Sequence, residues 1–243
     1  TLDFEEDIRT VIVATGMVGA IEPVVFTQPF GPSTGNARLR VVHAAAGVGP
    51  VDVYATAPDA DLGASAPATT LAFQEASMAL DLAPGDYQIR VTPAGDPATV
   101  VFDAGTSTIT GSEDIVAVAV MNTTASTAPI TLIATDATTG DPAVVQDVAA
   151  EADLRIVHAS PDAGAVDVLA NDAVLVPGAV YTNAAEFADL DAGTYDIEIR
   201  PAGGDETTTV FQADVDLVGG EYYDAIALGS VNAPVDDPTE FTV

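Results

Sequence analysis

Two histidines are the residues of this chain with the widest capacity for chemistry, because imidazole can act as an acid, a base or a metal ligand near neutral pH. His43 and His158 each stand nine residues before the aspartate of a Val-Asp-Val sequence, Asp52 and Asp167 respectively. Nine residues are enough for a hairpin, so each histidine could meet its aspartate across two strands. The spacing suggests either an acid–base pair or part of a metal site.

The rest of the sequence argues against catalysis at these histidines. A metal site needs three or four ligands, and the chain has no further histidine and no cysteine. Ser160 could act as a nucleophile beside His158, but the matching position beside His43 is Ala45. We therefore predict that the chain is not an enzyme and that each histidine is half-buried and held by a carboxylate or a backbone carbonyl. The residues given structural roles on this basis are His43, Asp52, His158 and Asp167.

Two further kinds of site deserve a hypothesis. Calcium prefers carboxylate oxygens, and Asp147, Glu151 and Asp153 cluster in one short segment, although no loop has the EF-hand spacing. Such small clusters arise by chance among 37 acidic residues, so we expect no cofactor, with calcium as the weak alternative. Asn122 begins an Asn-Thr-Thr sequence that fits the acceptor motif for N-glycosylation.

The charge of the chain excludes several classes of partner. Its 243 residues carry 37 Asp and Glu against 6 basic residues, all arginine, for a formal net charge of -31. Such a surface repels phosphate, so we expect neither nucleic acid nor anionic lipid as a partner. No apolar run reaches 18 residues, and a membrane span is not expected. An acidic chain without lysine suggests adaptation to high salt, where charge repulsion is screened.

The sequence repeats itself. Residues 39–55 and 154–170 share 10 of 17 positions, and residues 82–95 match 190–203. These matches predict two full domains, at 36–149 and 150–243. Residues 1–35 resemble only the last two strands of such a repeat. We predict that this partial repeat docks on another domain or on another chain.

Each full repeat reads as a set of short strands. Apolar runs bounded by Gly, Pro, Asp and Thr alternate with period two, as in Tyr195, Ile197 and Ile199. This pattern predicts an all-β fold of tandem antiparallel Ig-like Greek-key β-sandwiches. Tyr87 and Tyr195 each follow a turn glycine by two residues, as in a tyrosine corner, where the hydroxyl binds a nearby backbone group.

One segment resembles a known family. Residues 155–168, Arg-Ile-Val-His-Ala-Ser-Pro-Asp-Ala-Gly-Ala-Val-Asp-Val, are followed by the turns around Gly193 and at 201–203. Together they resemble the prokaryotic cell-surface repeat family catalogued as domain of unknown function 4397. The first repeat departs from this pattern, since residues 45–48 replace the Ser-Pro-Asp-Ala of 160–163. The resemblance implies an extracytoplasmic, often tandem, Ig-like domain and no assigned chemistry.

These observations leave three classes of function open. We favour a non-catalytic extracellular structural protein, a subunit of a cell-surface filament, sheath or stalk, assembled by pairing of β-strand edges. Its partner would be itself, through residues 1–35, because two strands without a domain of their own leave open edges. The alternative is a cell-surface adhesion or ligand-binding module for carbohydrate or calcium. A secreted hydrolase is the least favoured class.

Overall fold

The fold is that of a computed structural model, which describes residues 5–31, 35–123, 127–137, 140, 142–233 and 241–243. The chain divides into two compact units. The first holds the described residues from 5 to 123 and from 128 to 148, and the second holds residue 127 and the described residues from 149 to 243. The all-β prediction is confirmed: the described residues form 18 strands and only two single turns of 3₁₀ helix, and none of these helices could cross a membrane.

The first unit contains eleven of the strands and one 3₁₀ turn, at Leu62–Ala64. The strands are β1 (Ile8–Thr15), β2 (Glu22–Pro29), β3 (Ala37–His43), β4 (Val51–Thr56), β5 (Thr69–Leu71), β6 (Leu80–Leu82), β7 (Gly85–Pro93), β8 (Phe102–Ile109), β9 (Asp114–Met121), β10 (Ile130–Asp136) and β11 (Pro142–Val145).

Two sheets form the sandwich of the first unit. One has the order β11-β10-β9-β3-β6 and the other the order β5-β4-β7-β8. Between them lies a core of small and β-branched side chains around Phe102, which is fully buried. Val, Ile and Leu alternate along these strands, so that one face of each sheet supplies the core. Strands β1 and β2 form a separate two-stranded sheet.

The second unit contains the remaining strands and a 3₁₀ turn at Glu206–Thr208. In β12, every second residue from Ala152 to His158 is buried, as period-two alternation requires. One sheet has the order β15-β12-β18 and the other the order β14-β13-β16-β17, with a second core between them. The strands are β12 (Glu151–His158), β13 (Val166–Ala170), β14 (Ala173–Ala179), β15 (Ala188–Asp191), β16 (Gly193–Pro201), β17 (Phe211–Leu217) and β18 (Tyr222–Ala227).

The two sandwiches have the same strand order. The strands β3 to β9 of the first unit take the same places in their sheets as β12 to β18 of the second. Most pairs are antiparallel, but the first and last strands of this set, β3 with β9 and β12 with β18, run parallel. Parallel strands need a long crossover, and here the strands of the opposite sheet provide it.

Candidate assembly site

The N-terminal hairpin, β1 with β2, has the pairing register of β9 with β10. Ile12 lies opposite Val25, and Ala119 lies opposite Leu132. A constant shift of 107 residues converts the first pairing into the second along both strands. Eight residues separate the paired residues Ala14 and Pro23, and eight separate Met121 and Ile130. The hairpin therefore has the geometry of the β9–β10 pair of a sandwich, and it forms a sheet of its own.

One face of the hairpin packs on the sheet that contains β3 and β9. Val24 contacts Val42 of β3 and Val116 of β9, and all three are buried. Side chains from alternate positions of the hairpin surround this group, as expected for a strand face. The partly buried members are Val11, Val13, Phe26, Ala76 and Val118. The hairpin thus covers the face of the β3–β9 sheet that points away from the sandwich core.

A buried carboxylate ties one end of the hairpin to this sheet. The Asp114 side chain is fully buried, and its Oδ1 accepts a hydrogen bond of 2.9 Å from Gln28 Nε2. Arg9 Nη1 lies 3.5 Å from Asp114 Oδ2, and Arg38 Nη1 lies 3.5 Å from Oδ1. Arg38 also donates to the carbonyl oxygen of Pro29 at 2.8 Å. Two cations and an amide from both sides of the interface therefore converge on one anion.

Two further contacts complete the attachment. The guanidinium of Arg40 lies 4.7 Å from the centre of the Phe26 ring, a cation–π geometry. Burial and the neighbouring Arg38 lower the pKa of Arg40, and the Asp114 charge opposes that shift. At the other end of the hairpin, Gln74 Nε2 donates to Thr15 Oγ1 at 3.1 Å. Three of the six arginines of the chain, Arg9, Arg38 and Arg40, therefore serve this one interface.

The opposite face of the hairpin, which we term the hairpin outer face, is uncharged. Ile12 is 51% exposed and Val25 is 41% exposed. In β9–β10, the matching positions Ala119 and Leu132 are buried in the sandwich core. The hairpin outer face therefore corresponds to a core face. Its residues are Ile8, Thr10, Ile12, Ala14, Pro23, Val25, Thr27 and Pro29.

Each histidine is the last residue of the first strand of its sandwich, and both are fully buried, more deeply than the half-buried state expected from the sequence. His43 Nε2 is 3.0 Å from the carbonyl oxygen of Gly49, and His158 Nε2 is 2.8 Å from that of Gly164. The backbone N–H of Ser160 points at Nδ1 of His158 at 3.3 Å, so that Nε2 carries the proton. In each unit, the histidine closes the turn that follows the first strand of its sandwich.

The two aspartates make their hydrogen bonds elsewhere. Asp52 accepts from the Thr70 hydroxyl at 2.5 Å and from the Gly95 backbone N–H at 2.7 Å. Asp167 accepts from the backbone N–H groups of Gly178 and Gly203, which lower its pKa. These carboxylates join the turns at the strand ends of each sandwich. These hydrogen bonds link them to those turns and not to the histidines.

The calcium candidates take separate positions. Asp147 Oδ2 accepts from the backbone N–H of Asp103 at 2.7 Å. On β12, Glu151 lies opposite Asp191, and Asp153 lies opposite Asp189. Partial burial raises the pKa of Asp153, and the neighbouring Asp189 and Glu151 carboxylates raise it further. Within the described ranges, no three His, Cys, Asp or Glu side chains are grouped so that they could hold a metal ion.

The remaining sequence candidates lie at loop and strand ends. Asn122 Nδ2 donates to the carbonyl oxygen of Ala128 at 2.9 Å, while the Thr124 of its motif lies outside the described residues. Tyr195 Oη donates to the carbonyl oxygen of Asp191 at 3.0 Å, the bond of a tyrosine corner. Tyr87 packs against the core of the first unit.

A cavity of about 130 Å³ lies in the core of the first unit. Its lining is apolar apart from the hydroxyl-bearing side chains Tyr87 and Ser107. Ligand sites usually combine an apolar pocket with a few placed polar groups. Only two hydroxyl-bearing side chains and no charged one line this cavity, and we assign it to loose packing between the sheets.

Two structurally important aspartates were missed by sequence reasoning. Asp114 begins β9 and gives no sign in the sequence that it is buried. Asp162 accepts hydrogen bonds from the Ser230 hydroxyl at 2.6 Å and from Asn232 Nδ2 at 2.9 Å. These donors, with the Val231 backbone N–H, lower the pKa of Asp162 to about 2. The signal for Asp162 was its place in the Ser-Pro-Asp turn of the second repeat.

Comparison with known proteins bears on the second unit. Residues 152–242 match the family model described as Domain of unknown function (DUF4397). The resemblance expected from the sequence is therefore confirmed for residues 152–242. A comparison with curated proteins gave no match.

Among solved structures, the chain is similar to the Bacillus anthracis TIE protein, with 12% sequence identity and a TM-score of 0.24. That alignment covers 85% of this chain and 38% of the other, so this chain spans well under half of the other chain's length. Because the TM-score is so low, nothing about fold or function rests on this likeness.

The buried contacts of Asp114 with Arg9, Arg38 and Gln28, which we term the anchor, yield a stability prediction. Asp114→Asn removes the charge that two arginines face, and we expect a loss of about 3 kcal/mol in the free energy of unfolding, as for a broken buried ion pair. Amide hydrogen exchange of the hairpin should accelerate more than that of the sandwich strands. The matched control is Asp224→Asn, which breaks the exposed pair with Arg155 and should change the unfolding free energy little. Equal effects of the two substitutions would contradict the anchor.

The acid pair on β12 and β15 yields a pH prediction. A carboxyl group whose pKa is raised by folding costs stability when it is ionised, and this cost disappears as the pH falls below its unfolded value near 3.8. Asp153→Asn should therefore raise the melting temperature at pH 7 but not below about pH 3.8. The control is Asp214→Asn, which removes one exposed charge from β17. A gain at pH 7 no larger than that of the control would contradict the assignment.

Proposed function

We propose that this chain is a non-catalytic structural protein of the cell exterior, a subunit of a filament, sheath or stalk that is assembled by pairing of β-strand edges and adapted to high salt. The single observation that carries the proposal is the N-terminal hairpin. It has the register of β9–β10, its two strands form a sheet of their own, and its outer face corresponds to a sandwich core.

The edges of the hairpin support assembly in particular. In the first unit, β9 has β3 as its further neighbour and β10 has β11. The matching edges of β1 and β2 carry no third strand among the described residues. Exposed edges present unpaired N–H and C=O groups and are the usual templates for strand addition from another chain. A chain that presents two such edges can join a neighbouring copy head to tail.

The charge of the chain supports the proposed setting. A net charge of -31 opposes contact between copies at low salt, and salt near 1 M reduces the screening length to about 3 Å. Assembly would then occur only where uncharged surfaces meet. The acidic remainder would keep the assemblies hydrated and apart. The proposed extracytoplasmic location is supported by the family resemblance of residues 152–242.

The contacts of the candidate catalytic residues support the proposal that the protein is not catalytic. Both histidines are buried and bind backbone carbonyl oxygens, and the two matching aspartates bind turn residues. Each of these groups has a structural partner that explains its position. None of these hydrogen bonds supplies a nucleophile or an open metal position.

Electron microscopy of the full chain tests the proposal. Purified protein in about 2 M NaCl, where screening is nearly complete, should form filaments with a regular axial repeat as its concentration rises. Short separate particles at every concentration would contradict a filament subunit and would favour a binding module. Glycan and calcium titrations would then be the next experiments.

Salt should also stabilise the fold. Screening of the excess acids predicts that the melting temperature rises steadily as NaCl increases from about 0.1 to 2 M. KCl at equal ionic strength is the control and should give the same curve, since the effect is one of charge density. A melting temperature that is flat or falling with salt would contradict the proposed adaptation.

The histidines should matter for stability alone. His43→Leu with His158→Leu removes the hydrogen bonds that the buried imidazoles donate to the carbonyl oxygens of Gly49 and Gly164, at a cost of about 1 kcal/mol each. Assembly measured in high salt should be unchanged where the double variant remains folded. A folded variant that lost assembly, or any other measurable activity, would contradict the structural assignment.

A further inference from the structure

We propose that the hairpin outer face of one copy binds an exposed sheet face on the second unit of another copy. This inference rests on the proposed assembly function and names the partner of the hairpin. The second-unit outer face, as we term it, is the side of the β12–β18 sheet that points away from its sandwich core. Its residues are Asp153, Arg155, Val157, Tyr222, Asp224 and Ile226, together with Phe187.

Two sheet faces within the chain are equivalent. Strands β12 and β18 take the places in the second unit that β3 and β9 take in the first. In the first unit this face is covered by the hairpin, and Val42 and Val116 are buried there. In the second unit, Tyr222 is 58% exposed and Ile226 is 43% exposed. A sheet face of the same kind is therefore covered in one unit and exposed in the other.

The second-unit outer face carries an aromatic cluster. Tyr222 and Phe187 form an edge-to-face aromatic pair with ring centres 5.8 Å apart. The guanidinium of Arg155 lies 4.7 Å from the Phe187 ring centre, as Arg40 lies over Phe26 in the first unit. Arg155 is also paired with Asp224 through two hydrogen bonds. The face thus combines an aromatic cluster and the paired charges of Arg155 and Asp224 with one acid, Asp153, at its edge, and aromatic clusters are typical of contact surfaces.

Electrostatics favours a second copy of the chain as the occupant of this face. Two copies with a net charge of -31 each repel one another wherever acidic surfaces meet. The hairpin outer face has no ionisable side chain, and the Arg155–Asp224 pair is neutral as a whole. Because the hairpin outer face carries no charge, the two faces can meet without placing acids of one copy against acids of the other. A second copy is therefore a better occupant than another acidic protein surface.

The size of the faces predicts a weak contact. Eight residues in each of two strands, at about 3.4 Å per residue and 4.8 Å between strands, give a face of roughly 300 Å². Two such faces bury about 600 Å² in total, below the standard range for stable complexes. We therefore expect association at high protein concentration and high salt, reinforced by edge pairing. Because the two faces differ, the contact does not close on itself and can extend into a chain of subunits.

Complementation between two variants tests the inference. The hairpin variant carries Ile12→Asp with Val25→Asp, and the second-unit variant carries Tyr222→Asp with Ile226→Asp. All four positions are exposed, so both variants should fold, which thermal unfolding checks. In sedimentation of the full chain in about 2 M NaCl, each variant alone should associate at least about tenfold more weakly than the unchanged protein, because it would bury unpaired carboxylates.

An equimolar mixture of the two variants should then form dimers but no longer chains. In that mixture, the second-unit variant supplies an intact hairpin and the hairpin variant supplies an intact second-unit outer face. The matched control is Val144→Asp with Val174→Asp, which adds the same charge at exposed positions of β11 and β14. This control should associate like the unchanged protein.

The outcomes separate this inference from the proposed function. If the unchanged protein associates but the second-unit variant does so equally well, the hairpin has another occupant, and only the inference fails. A mixture that stays monomeric, while the unchanged protein associates, also overturns the inference alone. If the unchanged protein remains monomeric at every salt and protein concentration, the assembly function itself is overturned.

Discussion

The attachment of the hairpin depends on one buried carboxylate in a chain that has very few cations. Asp114 is fully buried, and burying an anion is costly unless cations and hydrogen-bond donors compensate it. Arg9, Arg38 and Gln28 provide this compensation from both sides of the interface. With six basic residues against 37 acids, few cations are available to compensate a buried carboxylate. Placing half of them at one contact indicates that the hairpin is a specified part of the fold.

The hairpin then acts as a layer with two unlike faces. Its inner face is tied to the β3–β9 sheet by charge, by aromatic stacking on Arg40 and by a small valine cluster. Its outer face has the character of a core face, and no described residue forms a further layer on it. The second unit shows the complementary condition, a sheet face that is equivalent to the covered one but exposed. Under the proposed assembly, these two faces are the places of contact between copies, and salt permits the contact by screening the excess acids.

Local patterns were sufficient for the strands and for the family. Alternation along β12 and the repeated segments at 39–55 and 154–170 depend on neighbouring residues, which a sequence displays directly. The parallel pairing of β3 with β9 and the burial of Asp114 depend on residues far apart in the chain, and aspartate is usually exposed. The His–Asp spacing suggested a pair, but the carbonyl oxygens of Gly49 and Gly164 bind the histidines instead. Backbone acceptors of this kind leave no mark in residue type.

Hydrogen exchange of the hairpin amides at two protein concentrations is the most direct test of the central claim. The account predicts that, in high salt, amides of Ile8–Thr15 and Glu22–Pro29 become more protected as the protein is concentrated, because their free edges and outer face are covered by another copy. Strands inside the sandwiches, such as β4 and β7, should show no such change. Hairpin protection that is independent of concentration, with assembly nonetheless present, would contradict the account.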